Sequence, residues 1–173
     1  VVDGNRDIWI VPSDGWPAVR FTSSPSIDVN PAYSPDGRQL AFSSDQDGRS
    51  HIWVVGINEA AMVGEPRQLT FGEAQDFHPC WSPDGSQLAF IRYRDGVEDV
   101  FVLEIDGSAP LRRLTSGAIV DRLCWIQEPD GLVGCVRTAD SRWALRRISL
   151  EDDQWLPFLP DVKLDTWEAA ARG

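Results

Sequence analysis

The sequence is poor in the residues that most catalytic and metal-binding chemistry uses. Among 173 residues there are two histidines, His51 and His78, three cysteines, one methionine and a single lysine, Lys163. Three cysteines, Cys80, Cys124 and Cys135, are too few and too irregularly spaced for a disulfide framework. No apolar run approaches the roughly 20 residues that cross a bilayer as a helix, so membrane insertion is not expected. The opening VVDGNRD has no targeting pattern. Positive charge is scarce as well: 27 acids face 16 bases, a formal net charge of -11. Such a surface repels phosphate backbones and makes nucleic acid a poor partner. There is no Gly-x-Ser-x-Gly nucleophile elbow, and two histidines leave little for a hydrolase triad, so catalysis within this chain is not expected.

What the sequence does contain is repetition. NPAYSPDGRQLAF, residues 30–42, returns as HPCWSPDGSQLAF, residues 78–90. Four segments recur in fixed order. An approach to an aromatic residue (DVNPAY, DFHPCW, DRLCW, LDTW) leads into a turn and short apolar strand (SPDGRQLAFSS, SPDGSQLAFIR, EPDGLVGCVR). An alternating strand follows (RDIWIVP, SHIWVVG, EDVFVLE, RWALRRIS), and a closing strand ends the unit (AVRFTSS, PRQLTFG, LRRLTSG, WLPFLP). Gly37, Gly85, Gly131 and Gly173 lie 48, 46 and 42 residues apart. Four short strands every 40–50 residues or so, split by Gly, Pro and Asp turns, describe the blades of a β-propeller.

The expected fold is therefore all-β: four-stranded antiparallel blades, three of them complete, with partial blades at either end. As one propeller segment over 1–173, the units fall at about 1–24 (partial), 25–72, 73–117, 118–160 and 161–173 (partial). A four-bladed ring, a piece of a longer ring and a ring completed by a second molecule are all compatible with this count. Incomplete terminal blades would favour self-association. WIQEPDG holds two extra residues before Gly131, which predicts a looser hairpin or bulge at that turn.

The stretch from Asn30 to Thr115 resembles the WD-like repeats of TolB-type propellers: a Leu-Thr pair, an Asp, a Pro, an aromatic, Ser-Pro-Asp-Gly, an Ala-Phe strand and a polar-Ile-aromatic strand. The resemblance implies a bacterial, periplasmic or otherwise extracytoplasmic protein that binds other proteins at the mouth of a central channel. It places Asp28 and Asp76 where that family has its loop acid. Asp121 stands one residue closer to its aromatic, Asp161 or Asp165 is the nearest acid in the last unit, and Leu123 replaces the family proline found at Pro31 and Pro79. The same repeats also form the substrate-gating propeller of prolyl-oligopeptidase-like serine peptidases, whose catalytic domain would lie outside this chain. A sugar-handling or lyase propeller would need channel His, Tyr or metal ligands that this sequence does not assemble.

The protein- or peptide-binding face is expected to carry Asp28, Phe71, Asp76, His78 and Asp121. An exposed aromatic beside acids suits a basic or mixed peptide. No cofactor and no metal are expected. Asp76, His78 and Cys80 alternate along one strand, a poor geometry for a single ion, and the turns at 44–50 and 92–99 lack calcium-loop spacing. Cys80 and Cys124 read as small packed residues, and His51 as a half-exposed strand residue. Trp9, Trp53 and Phe101 read as packing between blades, Trp16 and Trp155 as aromatics near loops, and Arg67, Arg112 and Arg113 as surface charge.

Overall fold

The structure, a computed structural model, describes residues 5–13, 15, 17–126, 131–150 and 155–157. The altered turn at 127–130, Trp16, the side chain of Trp155, and Asp161 and Asp165 with the rest of the last partial unit lie outside the described residues.

Four antiparallel sheets follow one another along the chain. The first pairs β1 (Trp9–Ile10) with β2 (Val19–Arg20). The second runs in order through β3 (Asp28–Tyr33), β4 (Gln39–Ser44), β5 (His51–Asn58) and β6 (Ala61–Gln68). The third does the same with β7 (Gln75–Trp81), β8 (Gln87–Arg94), β9 (Val97–Glu104) and the short β10 (Arg112–Arg113). The fourth contains β11 (Val120–Ile126), β12 (Gly131–Arg137), β13 (Trp143–Ile148) and β14 (Trp155–Pro157). This is a propeller-like series, and no ring closure is seen among the described residues.

The period of two along each strand decides where the core lies. Side chains on a strand alternate between faces, and here both faces are apolar. Leu40 and Phe42 of β4 pack with Ile8 and Phe21, which flank the strands of the preceding sheet, while Ala41 faces Trp81, Leu88 and Phe90 of the following one. In β8 the phase is the same. Leu88 and Phe90 look back, whereas Ala89 and Ile91 look forward to Val120, Leu132 and Ile148. Three apolar clusters result, each lying between sheets and none within one.

Directional bonds join the sheets at fixed places. The Trp81 indole N–H donates to the Ala32 carbonyl at 3.0 Å, and Trp125 does the same to Cys80 at 3.0 Å. These are successive innermost strands. Farther out, the Arg67 guanidinium donates to the Ile105 carbonyl and Arg112 to the matching Leu150 carbonyl. Arg113 pairs with Asp99 at 2.7 Å. These arginines therefore fasten strands as well as carrying surface charge. Trp9 is 45% exposed and does not pack between sheets as expected, while Trp53 and Phe101 border the apolar clusters.

The SPDG turns are built alike. Ser34 and Ser82 hydroxyls donate to Asp36 and Asp84 at 2.6 Å and accept from the Gln39 and Gln87 amides at 2.9 Å. The Ser82 hydroxyl, then the Ser86 amide and hydroxyl, pull the Asp84 carboxyl down to about 2. The turn's contribution is thus present above the ordinary carboxylate value of 3.8 and is lost as pH falls towards about 2. Gly37 and Gly85 sit at φ 70 and 75. A Cβ at Gly85 would meet only Pro35 Cδ at 3.6 Å, an ordinary contact, so the left-handed backbone alone demands glycine.

Gly85→Val should cost about 1–2 kcal/mol through that strain. Trp81→Phe, which strips the donor to the Ala32 carbonyl, should cost about 1 kcal/mol or somewhat more. Urea unfolding followed by far-UV circular dichroism measures both.

Candidate functional site

One end of the array gathers the beginnings of the innermost strands, the β4–β5 and β8–β9 turns and the β6–β7 loop. Strand pairing puts them together: Asp28 lies opposite Ser44, Ser44 opposite His51, and Trp53 opposite Gln68. Each innermost strand is then bent by one extra residue, with the register shifting between Val29 and Ala32, between Phe77 and Cys80, and between Val120 and Arg122. Asn30 and His78 occupy the first two bulges in left-handed conformation, both at φ 54. Such bulges re-aim side chains next to functional surfaces.

Asp28 and Asp76 do not form part of an open mouth. Asp76 is fully buried, and Arg92 grips it with two bonds, Nε to Oδ1 at 2.7 Å and Nη2 to Oδ2 at 2.8 Å. The same guanidinium lies 5.5 Å and 5.0 Å from the Phe90 and Phe101 ring centroids. This is a charge pair capped by aromatics, a geometry in which the planar fork of arginine is specifically useful. Asp28 is 4% exposed, and among the described residues its donors are hydroxyls, including Ser24 at 3.1 Å. Burial pushes its carboxyl up against the opposing bonds from Ser44, Thr22 and Ser24, with Asp7 adding repulsion. These acids hold the frame.

The third position in this acid series belongs to Val120, which lies opposite Val136 and is 4% exposed. Asp121 is displaced into the bulge and is exposed. Beside it stands the half-buried His78, whose ring is held below the usual imidazole range by burial and then by the Arg122 cation, against the pull of Asp121 and Glu98. The structure therefore groups His78 and Asp121 with Arg122 and Glu98. Phe71, 66% exposed, is on a separate loop and borders a cleft of about 440 Å³ together with Arg67, Arg92, Leu103 and Ile105. A second cleft, of about 280 Å³, opens between β3 and β7 and is lined by Ile27, Val29, Arg49 and Phe77. Arg92, which holds Asp76, lines the same cleft as Phe71.

His51 is 3% exposed, contrary to its expected half-exposed setting. Its ring meets Asp47 Oδ2 at 2.7 Å and the Gly72 carbonyl at 3.1 Å, and Gln68 completes the cluster. A sequence signal for this exists: His51 stands in the column of Asp7 and Asp99, and Gln68 in the column of Arg20 and Arg113. Cys80 packs against the apolar cluster, and burial pushes its thiol up to about 12. Cys124 is exposed, contrary to its expected packed setting. Among the described residues no group of three or more His, Cys, Asp or Glu side chains could hold a metal ion, and no helix is long and apolar enough to cross a membrane.

No protein-family model matches the chain. It is 36% identical over 55 residues to a protein TolB homolog of Chlorobium luteolum, a stretch covering 32% of this chain and 13% of that protein. The chain is distantly similar to TolB-family propellers. Among solved structures, TolB from Acinetobacter baumannii aligns with a TM-score of 0.72 at 17% identity, over 86% of this chain and 36% of that one. A Mycobacterium tuberculosis puromycin-hydrolyzing peptidase aligns with a TM-score of 0.61 at 14% identity, over 86% of this chain and 24% of that one. At these identities the likeness is one of fold, shared by TolB proteins and peptidases alike. The matches span well under two thirds of each of these proteins.

Asp76→Asn should cost about 1.5–3 kcal/mol, because it removes the charge that accepts both bonds from the partly exposed Arg92 guanidinium. Asp28→Asn should be far milder. Since the folded-state carboxyl of Asp28 is raised, its ionisation opposes folding, and the wild-type chain loses stability as pH rises from 3.8 through the raised value. Denaturant midpoints of both variants at acid and neutral pH test the contrast.

Proposed function

We propose that the chain is a noncatalytic propeller segment that handles a polypeptide ligand at the end carrying Phe71, His78 and Asp121. The observation behind this is a largely exposed aromatic, Phe71, on the β6–β7 loop whose Gly72 carbonyl is bonded by the buried His51, at the same end of the array as the exposed Asp121. An aromatic supplies contact area at little cost in rotamer freedom, and rigid loops lose little entropy on binding. Asp121, with Glu98 and the excess of acids over bases, suits a basic or mixed peptide. Asp28 and Asp76 act in this reading as supports of the surface, and an extracytoplasmic setting follows the distant TolB similarity.

Two versions of this function differ in what the ligand does next. In one, the propeller is an accessory of a serine peptidase and controls which peptides reach a catalytic domain elsewhere in the polypeptide. The fold likeness to a puromycin-hydrolyzing peptidase, together with the scarcity of catalytic residue types in this chain, favours that version. In the other, the propeller is a docking module for a second protein, as the local sequence similarity to a TolB homologue supports. Reading the gene on both sides and treating the full-length product with a fluorophosphonate probe separates them. A labelled serine hydrolase supports the first version, and further repeats with no labelling support the second.

Phe71→Ala should weaken binding to an array of basic peptides by about tenfold, the scale of one aromatic anchor, and leave the melting temperature unchanged. Unaltered affinity would remove this face from the proposal.

A further inference from the structure

The cleft between β3 and β7 has apolar walls and a rim whose charged groups are already engaged within the protein. Ile27, Val29 and Phe77 line it, and Ile27 is 45% exposed although it is aliphatic. At the rim, Asp45 accepts the Ile27 amide at 2.7 Å and Arg49 pairs with Glu73 at 2.8 Å. The volume, about 280 Å³, falls just below the roughly 300–1,000 Å³ of sites that enclose a whole small ligand. It suits one large side chain.

The walls are clamped. The Asp76 amide donates to the Ser50 carbonyl at 2.7 Å and the Ser50 hydroxyl donates to the Asp76 carbonyl at 3.0 Å, so the start of β7 is tied twice to the residue before β5. The β6–β7 loop is fixed at its head by Thr70, whose hydroxyl accepts the Ile52 amide at 2.9 Å, as Thr22 and Thr115 accept those of Ile8 and Val100 in the sheets on either side. Beside Thr70, His51 and Gln68 stand where those sheets carry an Asp–Arg pair, and His51 meets the Gly72 carbonyl at 3.1 Å. A cleft held in this way loses little freedom when it is filled.

The residues along the face change character at the next junction. Val29, Phe77 and Arg122 form one column, opposite Ser43, Ile91 and Cys135. The apolar pair flanks the cleft, whereas the arginine of the fourth sheet stands with His78, Asp121 and Glu98. Two carboxylates there face one guanidinium, so an apolar recess lies beside an acid-rich step. We infer that the cleft between β3 and β7 receives an aliphatic or aromatic side chain of a peptide whose adjoining residues are lysine or arginine, drawn by Asp121 and Glu98. This rests on the peptide-binding role proposed for this end of the array and adds a specificity pocket to it. A net charge of -11 attracts basic peptides of any sequence. The cleft selects among them by the apolar area it buries.

The test titrates acetyl-Lys-Leu-Lys-amide and acetyl-Lys-Ser-Lys-amide into the methyl-labelled chain, followed by NMR. The leucine peptide should shift the Ile27 and Val29 methyl signals and bind about tenfold tighter than the serine peptide, the scale of one buried aliphatic side chain. Ile27→Asn, at the exposed rim, should erase that preference and leave the affinity for the serine peptide as it was. Equal affinities in the wild-type chain, binding of neither peptide, or methyl signals that stay still while the leucine peptide binds would each overturn the pocket. So would a preference that survives in Ile27→Asn. Phe71→Ala separates the two readings: if it weakens both peptides while no leucine preference is found, the face stands without its pocket.

Discussion

The second and third sheets each have two apolar faces and are too small to hide either of them. Burial of side chains such as Phe42, Leu88 and Phe90, each worth about 1.5–3 kcal/mol, is available only when another sheet covers them. The clusters accordingly sit between sheets, and the alternation of Leu40 and Phe42 against Ala41 repeats in Leu88 and Phe90 against Ala89. A sequence under this constraint has to restate itself, because each surface must fit its predecessor as well as its successor. The candidate face exists because stacking brings corresponding loop ends to one side.

Within that frame, polar groups decide which loops are held and how. Asp76 and Arg92 solve the problem of a buried charge by bidentate pairing, whereas at Asp28 burial raises the carboxyl against the hydroxyl bonds that oppose it. The modules at Thr22, Thr70 and Thr115 keep identical backbone bonds while the side chains beside them change from an acid and an arginine to an imidazole and an amide. Backbone geometry is thus constant while the charge attached to it differs between neighbouring sheets. That difference is what gives the middle sheet its own chemistry.

Much of this could be read from the amino acids. The turn serines, aspartates and glycines announced their hairpins, and the apolar periodicity announced sheets with two greasy sides. The candidate site was less legible. Asp28 and Asp76 looked like a ring of channel acids because sequence spacing cannot show that Arg92, sixteen residues further on, folds back over Asp76. Asp121 looked like the third member because the bulge that displaces it leaves no composition signal, and Val120 takes the buried position. His51 was misjudged for a different reason. Its partners Asp47, Gln68 and Gly72 come from a turn, an edge strand and a loop, and they converge only after three strands have paired.

The tryptophan bonds near the inner strands and the arginine bonds farther out act on the same pairs of sheets. Trp81 is an inner attachment of the third sheet to the second, and Arg67 is an outer one; Trp125 and Arg112 repeat the arrangement for the fourth sheet. Two attachments at different radii fix an angle, as a single hinge could not. Each wedge is thereby denied rotation about its neighbour, and the curvature of the stack is set bond by bond at hub and rim.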